Sequence, residues 1–142
     1  MPQELTQAIE VSHPENRQLT YLVVNSEFYL DLFTLNIGSG GSPIVTHIKK
    51  IKAKADCICS SLEQPGFFFI SHLNKIQKCQ IDLGRKEKVT VLKQKILFCD
   101  NDQVKATAMK QTFLQSETAG DSNESMIAVA TSDYDFIILS IG

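Results

Sequence analysis

Four cysteines and three histidines are the residues best equipped for chemistry in this chain. Cys57 and Cys59 form a Cys-x-Cys pair, and Cys79, Cys99 or His72 could complete a tetrahedron around zinc. Structural zinc usually takes cysteines with two to four residues between them, on a knuckle turn. Asp56 to Ser61 instead reads as a strand, whose period-two alternation sends both thiols to one face. The pair is therefore expected to be buried free thiols acting as small hydrophobes. Ser71 next to His72 supplies a nucleophile and a base, but strand neighbours face opposite sides of a sheet. His13 and His47 stand beside no nucleophile motif, and the carboxylates show no paired placement for acid–base work. The Gly38-Ser-Gly-Gly-Ser-Pro43 stretch lacks the Gly-Lys-Ser/Thr ending and following helix of a phosphate cradle. The expectation is no catalytic, cofactor-binding or metal-binding residue, no cofactor and no enzymatic activity.

Charge points the same way. The net charge of −2 gives no global pull toward nucleic acid or anionic lipid. Basic residues do cluster, at Lys49, Lys50, Lys52 and Lys54 and again at Arg85, Lys86, Lys88, Lys93 and Lys95. Aromatics are not interleaved with them, so base stacking is not supported. The favoured reading is edge protection, in which lysines on an outer strand discourage sheet-to-sheet aggregation. The other is a basic stripe for phosphate backbones or acidic protein surfaces. The segment Ser116 to Ser125 carries Glu117, Asp121 and Glu124 among small polar residues and reads as a solvated loop, with Thr118 a candidate for phosphorylation.

These residues are placed by an apolar pattern written three times. Tyr21 to Gly38 lines up without a gap on Phe67 to Gly84, and Ile127 to Gly142 lines up on both. Each copy is an apolar run, a short polar break and a second apolar run, ending in Leu35-Asn36-Ile37, Ile81-Asp82-Leu83 or Leu139-Ser140-Ile141. Strands are predicted at about 19–25, 28–37, 44–53, 56–61, 67–72, 75–83, 88–98 and 103–110, with two more in the third copy. Turns fall at 38–43, at Pro65-Gly66, at 84–86 and at 100–102. Residues 1–18 read as a polar N-terminal segment, loose or a single turn, and 19–142 as one β-repeat domain. Four short antiparallel strands about every 45 residues is propeller-blade spacing.

On these residues the chain resembles a divergent WD-repeat β-propeller of about two and a half blades. Leu35-Asn36, Ile81-Asp82 and Leu139-Ser140 fall where that family places Trp-Asp. Asp133 stands at the family's turn aspartate, whereas Glu27 and Leu73 occupy the matching places in the other copies. There is no tryptophan, and no Gly-His pair precedes a blade, so the family's hydrogen-bonded network is not carried over. The fold class expected is all-β, with four-stranded antiparallel blade-like repeats forming a partial propeller. A β-sandwich or barrel is the alternative. Propellers carry about 4 to 8 blades, so three accounts stay open: a fragment of a longer propeller, a stack completed by a partner chain, or a self-contained sandwich or barrel.

The function expected is a non-catalytic protein–protein interaction module or scaffold within a larger assembly. The resemblance also allows a small-GTPase nucleotide-exchange factor, acting through the 38–43 or 116–125 loop. A small β-barrel ligand carrier is the third reading, and a deep pocket lined by Tyr29, Phe33, Phe67 and Phe69 would favour it. No apolar run reaches the roughly 18 to 20 residues of a membrane span. The N-terminus lacks a secretory pattern. The expected location is cytoplasmic or nuclear, with other proteins as partners.

Overall fold

The computed structural model describes residues 7–26, 28–36, 41–83, 87–115 and 123–140. Among these residues there are strands but no helix, and every pairing between strands is antiparallel. The first sheet holds β1 (Gln7–Ser12), β2 (Leu19–Ser26), β3 (Tyr29–Asn36) and β4 (Ile44–Lys52), in that order. The second holds β5 (Cys57–Ser60), β6 (Phe67–His72), β7 (Lys75–Asp82) and β8 (Lys88–Leu97). The third holds β9 (Ala106–Gln115), β10 (Asn123–Thr131) and β11 (Phe136–Ser140), with β10 in the middle. The fold is all-β, built of blade-like sheets. Each sheet stays open rather than closing on itself, so no barrel forms.

The sheets stack through two apolar layers. Val11, Tyr21, Val23, Leu30 and Leu32 of the first sheet meet Ile58, Phe68, Ile70, Cys79 and Ile81 of the second. On the other side of the second sheet, Cys57, Cys59, Phe69 and Ile76 meet Ala106, Met109, Ile127 and Val129 of the third. Successive strand residues point to opposite faces, so a sheet covered on both sides needs a continuous apolar run. Phe67-Phe-Phe-Ile70 supplies one, and Phe68, Phe69 and Ile70 are all buried. The innermost strands β1, β5 and β9 lie side by side, and backbone and side chains link them: the Ser60 hydroxyl donates to Glu10 O, and Ile58 N donates to Gln7 Oε1 at 2.9 Å.

The repeat between the first two copies is visible in the pairing register. Asn25 pairs with Leu30 as Ser71 pairs with Ile76, about 46 residues on. A β-bulge recurs too, between Leu32 and Phe33 where β3 meets β4, and between Gln77 and Cys79 where β7 meets β8. In β4 the bulge breaks the regular period-two alternation of a strand. Val45 and His47 face outward, Ile48 and Ile51 pack against the core, and Lys50 and Lys52 face outward again. A bulge adds a residue to one strand, which reverses the side-chain phase beyond it.

Three features differ from the sequence reading. Residues 7–12 form a strand rather than a loose segment or turn, because Ile9 and Val11 alternate with polar residues and gain their burial only by packing on neighbouring sheets. Two inward apolar residues are too short a signal to read alone. The fourth strand predicted in each unit belongs to the next sheet: β5 opens the second sheet and β9 the third. The chain leaves each outer edge strand and crosses to an inner position, so the sequence unit and the sheet are offset by one strand. The third copy also carries one extra residue in its hairpin. Ala130 pairs with Phe136 across five residues, whereas Ser71 pairs with Ile76 across four. That residue shifts the side-chain phase, placing Ile127 and Val129 where the second sheet has Phe68 and Ile70.

The Pro65-Gly66 turn lies where expected. Gly66 has a φ of 84°, a conformation that favours glycine, and a Cβ there would lie 3.4 Å from Pro14. Its N–H donates to Ser12 O at 2.8 Å and its carbonyl accepts from Ile81 N at 2.8 Å, tying the first two sheets together.

Phe68 has no exposed surface. Truncating it, Phe68→Ala, is expected to destabilise the chain by about 3–5 kcal/mol. Lys93→Ala on the outer strand should stay within about 0.5 kcal/mol of the parent. Urea unfolding midpoints check both, and a Phe68→Ala loss below about 1 kcal/mol would contradict the two-layer packing.

Candidate functional site

The thiols occupy both core layers. Cys57 and Cys59 leave β5 toward the third sheet, while Cys79 leaves β7 toward the first. Cys99, half-buried after β8, donates its S–H to Asn101 O at 3.2 Å. The second sheet thus separates Cys79 from the other pair, so no common metal centre assembles from them. Among the described residues no three His, Cys, Asp or Glu side chains come close enough to hold a metal ion. Burial pushes the Cys57 thiol up to about 11, with the Asp56 carboxylate adding to the effect. Burial likewise pushes Cys59 and Cys79 up to about 12. A thiol held protonated is a poor nucleophile and a poor ligand.

The histidines are structural in their contacts. His13 Nδ1 accepts the backbone N–H of Glu15 at 3.1 Å and of Asn16 at 2.9 Å, and its ring stacks on Tyr21 with centroids 5.1 Å apart. Burial, and then the neighbouring Glu87 carboxylate, hold the Tyr21 hydroxyl well above the ordinary phenol range. The geometry of the two groups nonetheless falls short of a hydrogen bond, leaving Tyr21 Oη and Glu87 Oε2 both buried without a partner. His47 Nε2 lies 2.9 Å from Asp31 Oδ1, with the ring edge-on to Phe33. His72 Nδ1 lies 3.8 Å from Asp56 Oδ2, an oxygen that already accepts Leu73 N–H at 2.7 Å. Ser71 is fully buried and its hydroxyl donates to Cys57 O at 3.4 Å, away from the half-exposed His72 ring. The Ser-His neighbours do not form a dyad. Asp133 accepts a hydrogen bond from the Thr131 hydroxyl, which also accepts Asp135 N–H at 3.0 Å, closing the last hairpin turn.

Two clefts stand out among the described residues. The larger, about 500 Å³, lies between the second and third sheets beside Ser61, Phe69, Lys78, Ile96, Gln111 and Ser140. Lys78 is held there by Gln64 Oε1 and by the Phe67 ring, 4.7 Å from its ammonium group. Gln111 is buried, accepting Leu62 N–H and donating to the Ser125 hydroxyl, so its polar atoms are used internally. The smaller, about 430 Å³, follows the turn between β1 and β2 beside His13, Glu15 and Arg17. The four aromatics expected to line a deep pocket fall in two separate places: Phe67 and Phe69 lie beside Lys78 on the second sheet, while Tyr29, exposed under Lys50, and Phe33 lie on the first sheet.

The basic clusters fall where the sequence puts them. Lys49, Lys50 and Lys52 lie on β4, and Lys88, Lys93 and Lys95 on β8, all exposed on outermost strands. Arg85 and Lys86 lie outside the described residues, as do 37–40 and 116–122, which hold most of the two loops considered for a partner GTPase. Strand β11 is also an outer strand, yet its sequence Phe-Ile-Ile-Leu-Ser carries no lysine.

What the sequence reading missed is the pair of outward faces at the ends of the stack. On the first sheet, alternation and register put Leu22, Val24, Phe33, Leu35 and Val45 on the side away from the core. On the third, Met126, Ala128, Ala130, Phe136 and Ile138 share the outer side, with Phe136 64% and Ile138 54% exposed. The signal was present. Tyr21-Leu-Val-Val24 and Phe136-Ile-Ile-Leu139 are apolar on both phases, the mark of a strand with something to cover on each face.

Because the buried thiols ionise near their ordinary value of 9.0 only when unfolded, the folded chain holds more protons between about pH 9 and pH 12. Stability is therefore full below about pH 9 and falls as pH rises through that window. The unfolding midpoint should drop from about pH 8 to about pH 10, with a shallower drop in Cys79→Ala; equal slopes would refute the contribution. In the native chain at about pH 8 a thiol-specific reagent should label Cys99 well before the other three. Fast labelling of all four would show that the layers are not sealed. No protein-family model, no curated protein and no solved structure matches this chain.

Proposed function

We propose that this chain is a non-catalytic protein–protein interaction module, built on blade-like sheets resembling those of a divergent WD-repeat propeller. The observation that carries this reading is the apolar outer face of the third sheet, continuous with the lysine-free edge of β11. Contiguous exposed apolar surface marks an interaction site, and an unprotected outer strand offers N–H and C=O groups to an added strand. The other two outer strands are protected by lysines, so the apolar edge is a local exception rather than a general property of the chain. The chemistry of the interior supports a binding role. Cys57, Cys59 and Cys79 are buried and held protonated, the histidines are engaged in turns and carboxylate contacts, and Ser71 and His72 point apart. Four unpaired cysteines fit a reducing compartment, cytoplasmic or nuclear.

A photo-crosslinking residue placed at Ile138 should capture protein in cells far more efficiently than one at Tyr134, which is fully exposed but lies on the hairpin turn. Equal or absent capture at the two positions would overturn the reading.

A further inference from the structure

We infer that the partner of these end faces is a second copy of this chain, stacked head to tail so that the third sheet of each copy covers the first sheet of the other. This rests on the interaction reading above and names its occupant.

The two faces are not alike, so the contact joins different surfaces. The repeat itself shows how they fit. Within the chain, each sheet lays its back face on the front face of the sheet before it. Phe68 and Ile70 lie on the back of the second sheet, and Ile127 and Val129 on the back of the third. The matching positions in the first sheet are Leu22 and Val24, apolar and half-exposed, with no sheet behind them among the described residues. Among the described residues the front of the third sheet is equally uncovered. A second copy would repeat a packing that the chain already makes twice.

One charged pair supports the match. On the inner strands, Cys59 of the second sheet lies at the backbone of Gln111 of the third. Cys59 pairs with Phe69, and Lys110 pairs with Ala128, each two residues before the residue that closes its hairpin. Lys110 is thus the third sheet's counterpart of Cys59. By the same register Gln111 pairs with Ile127 and Glu10 with Leu22, so Glu10 is the first sheet's counterpart of Gln111. Stacking the third sheet on the first sheet of another copy brings Lys110 to Glu10. Both side chains are exposed in the single chain. Opposite charges across an otherwise apolar contact fix register and orientation. Head-to-tail contacts close into a ring when the rotation allows and otherwise form filaments. Two copies bring six stacked sheets, within the about 4 to 8 blades that close a propeller.

Sedimentation equilibrium of the purified 142-residue chain at micromolar concentration is expected to give twice the 15.8 kDa chain mass. Lys110→Glu and Glu10→Lys should each weaken self-association by about tenfold or more, and combining them should restore it to within about threefold of the parent. A monomer at every concentration, an open polymer, or a charge swap that fails to restore the dimer overturns the proposal. If the chain is monomeric while a residue at 138 still crosslinks to a different protein, self-stacking falls and the interaction reading stands. If neither occurs, both fall.

Discussion

Burial of the second sheet on both of its faces is the constraint on which this structure depends. A strand presents alternate side chains to opposite sides, so a sheet between two others needs apolar residues on both phases. Phe67-Phe-Phe-Ile70 meets that demand, and Cys57-Ile-Cys59 meets it on the neighbouring inner strand with residues small enough for the crowded centre of the stack. Without this sheet the first and third have nothing in common to pack against.

Among the described residues the stack buries Asn25, Ser71, Asn74, Gln111, Ser125 and Thr131. Asn25 and Ser71 hold matching positions near the end of the middle strand. Asn25 donates to Ala55 O, on the segment leading into the second sheet, at 2.9 Å, whereas Ser71 donates to Cys57 O on the neighbouring strand of its own sheet at 3.4 Å. A buried hydrogen-bonding side chain costs little when paired and a great deal when not, so these bonds fix how far each strand can slide. Gln111 does the same between the second and third sheets, through Leu62 N–H and the Ser125 hydroxyl. The stack is therefore held by nearest-neighbour contacts, as in repeat proteins generally.

Nearest-neighbour packing also explains where the exposed apolar surface lies. Interior sheets satisfy one another, and the demand left over accumulates at the ends. The thiols and histidines that first suggest chemistry are absorbed into turns, core layers and surface carboxylate contacts. The residues with unmet packing demand are ordinary aliphatics and two phenylalanines at the two outward faces.

The sequence by itself determined the strand content, the hairpin repeat of the first two copies, the Pro65-Gly66 turn and the lysine-bearing outer strands, because each is encoded by local alternation and turn chemistry. It also showed that the cysteine pair points to one side of its strand. Only the tertiary structure decided which strands share a sheet, since β5 and β9 pair with strands that follow them rather than with those before. The short strand β1 was hidden because its stability comes from its neighbours and not from its own residues. The side-chain phase of the third copy depended on one inserted turn residue, and in β-structure a single residue exchanges the two faces of a strand. The open faces could be read only after that phase was known, because exposure belongs to the stack and not to the strand.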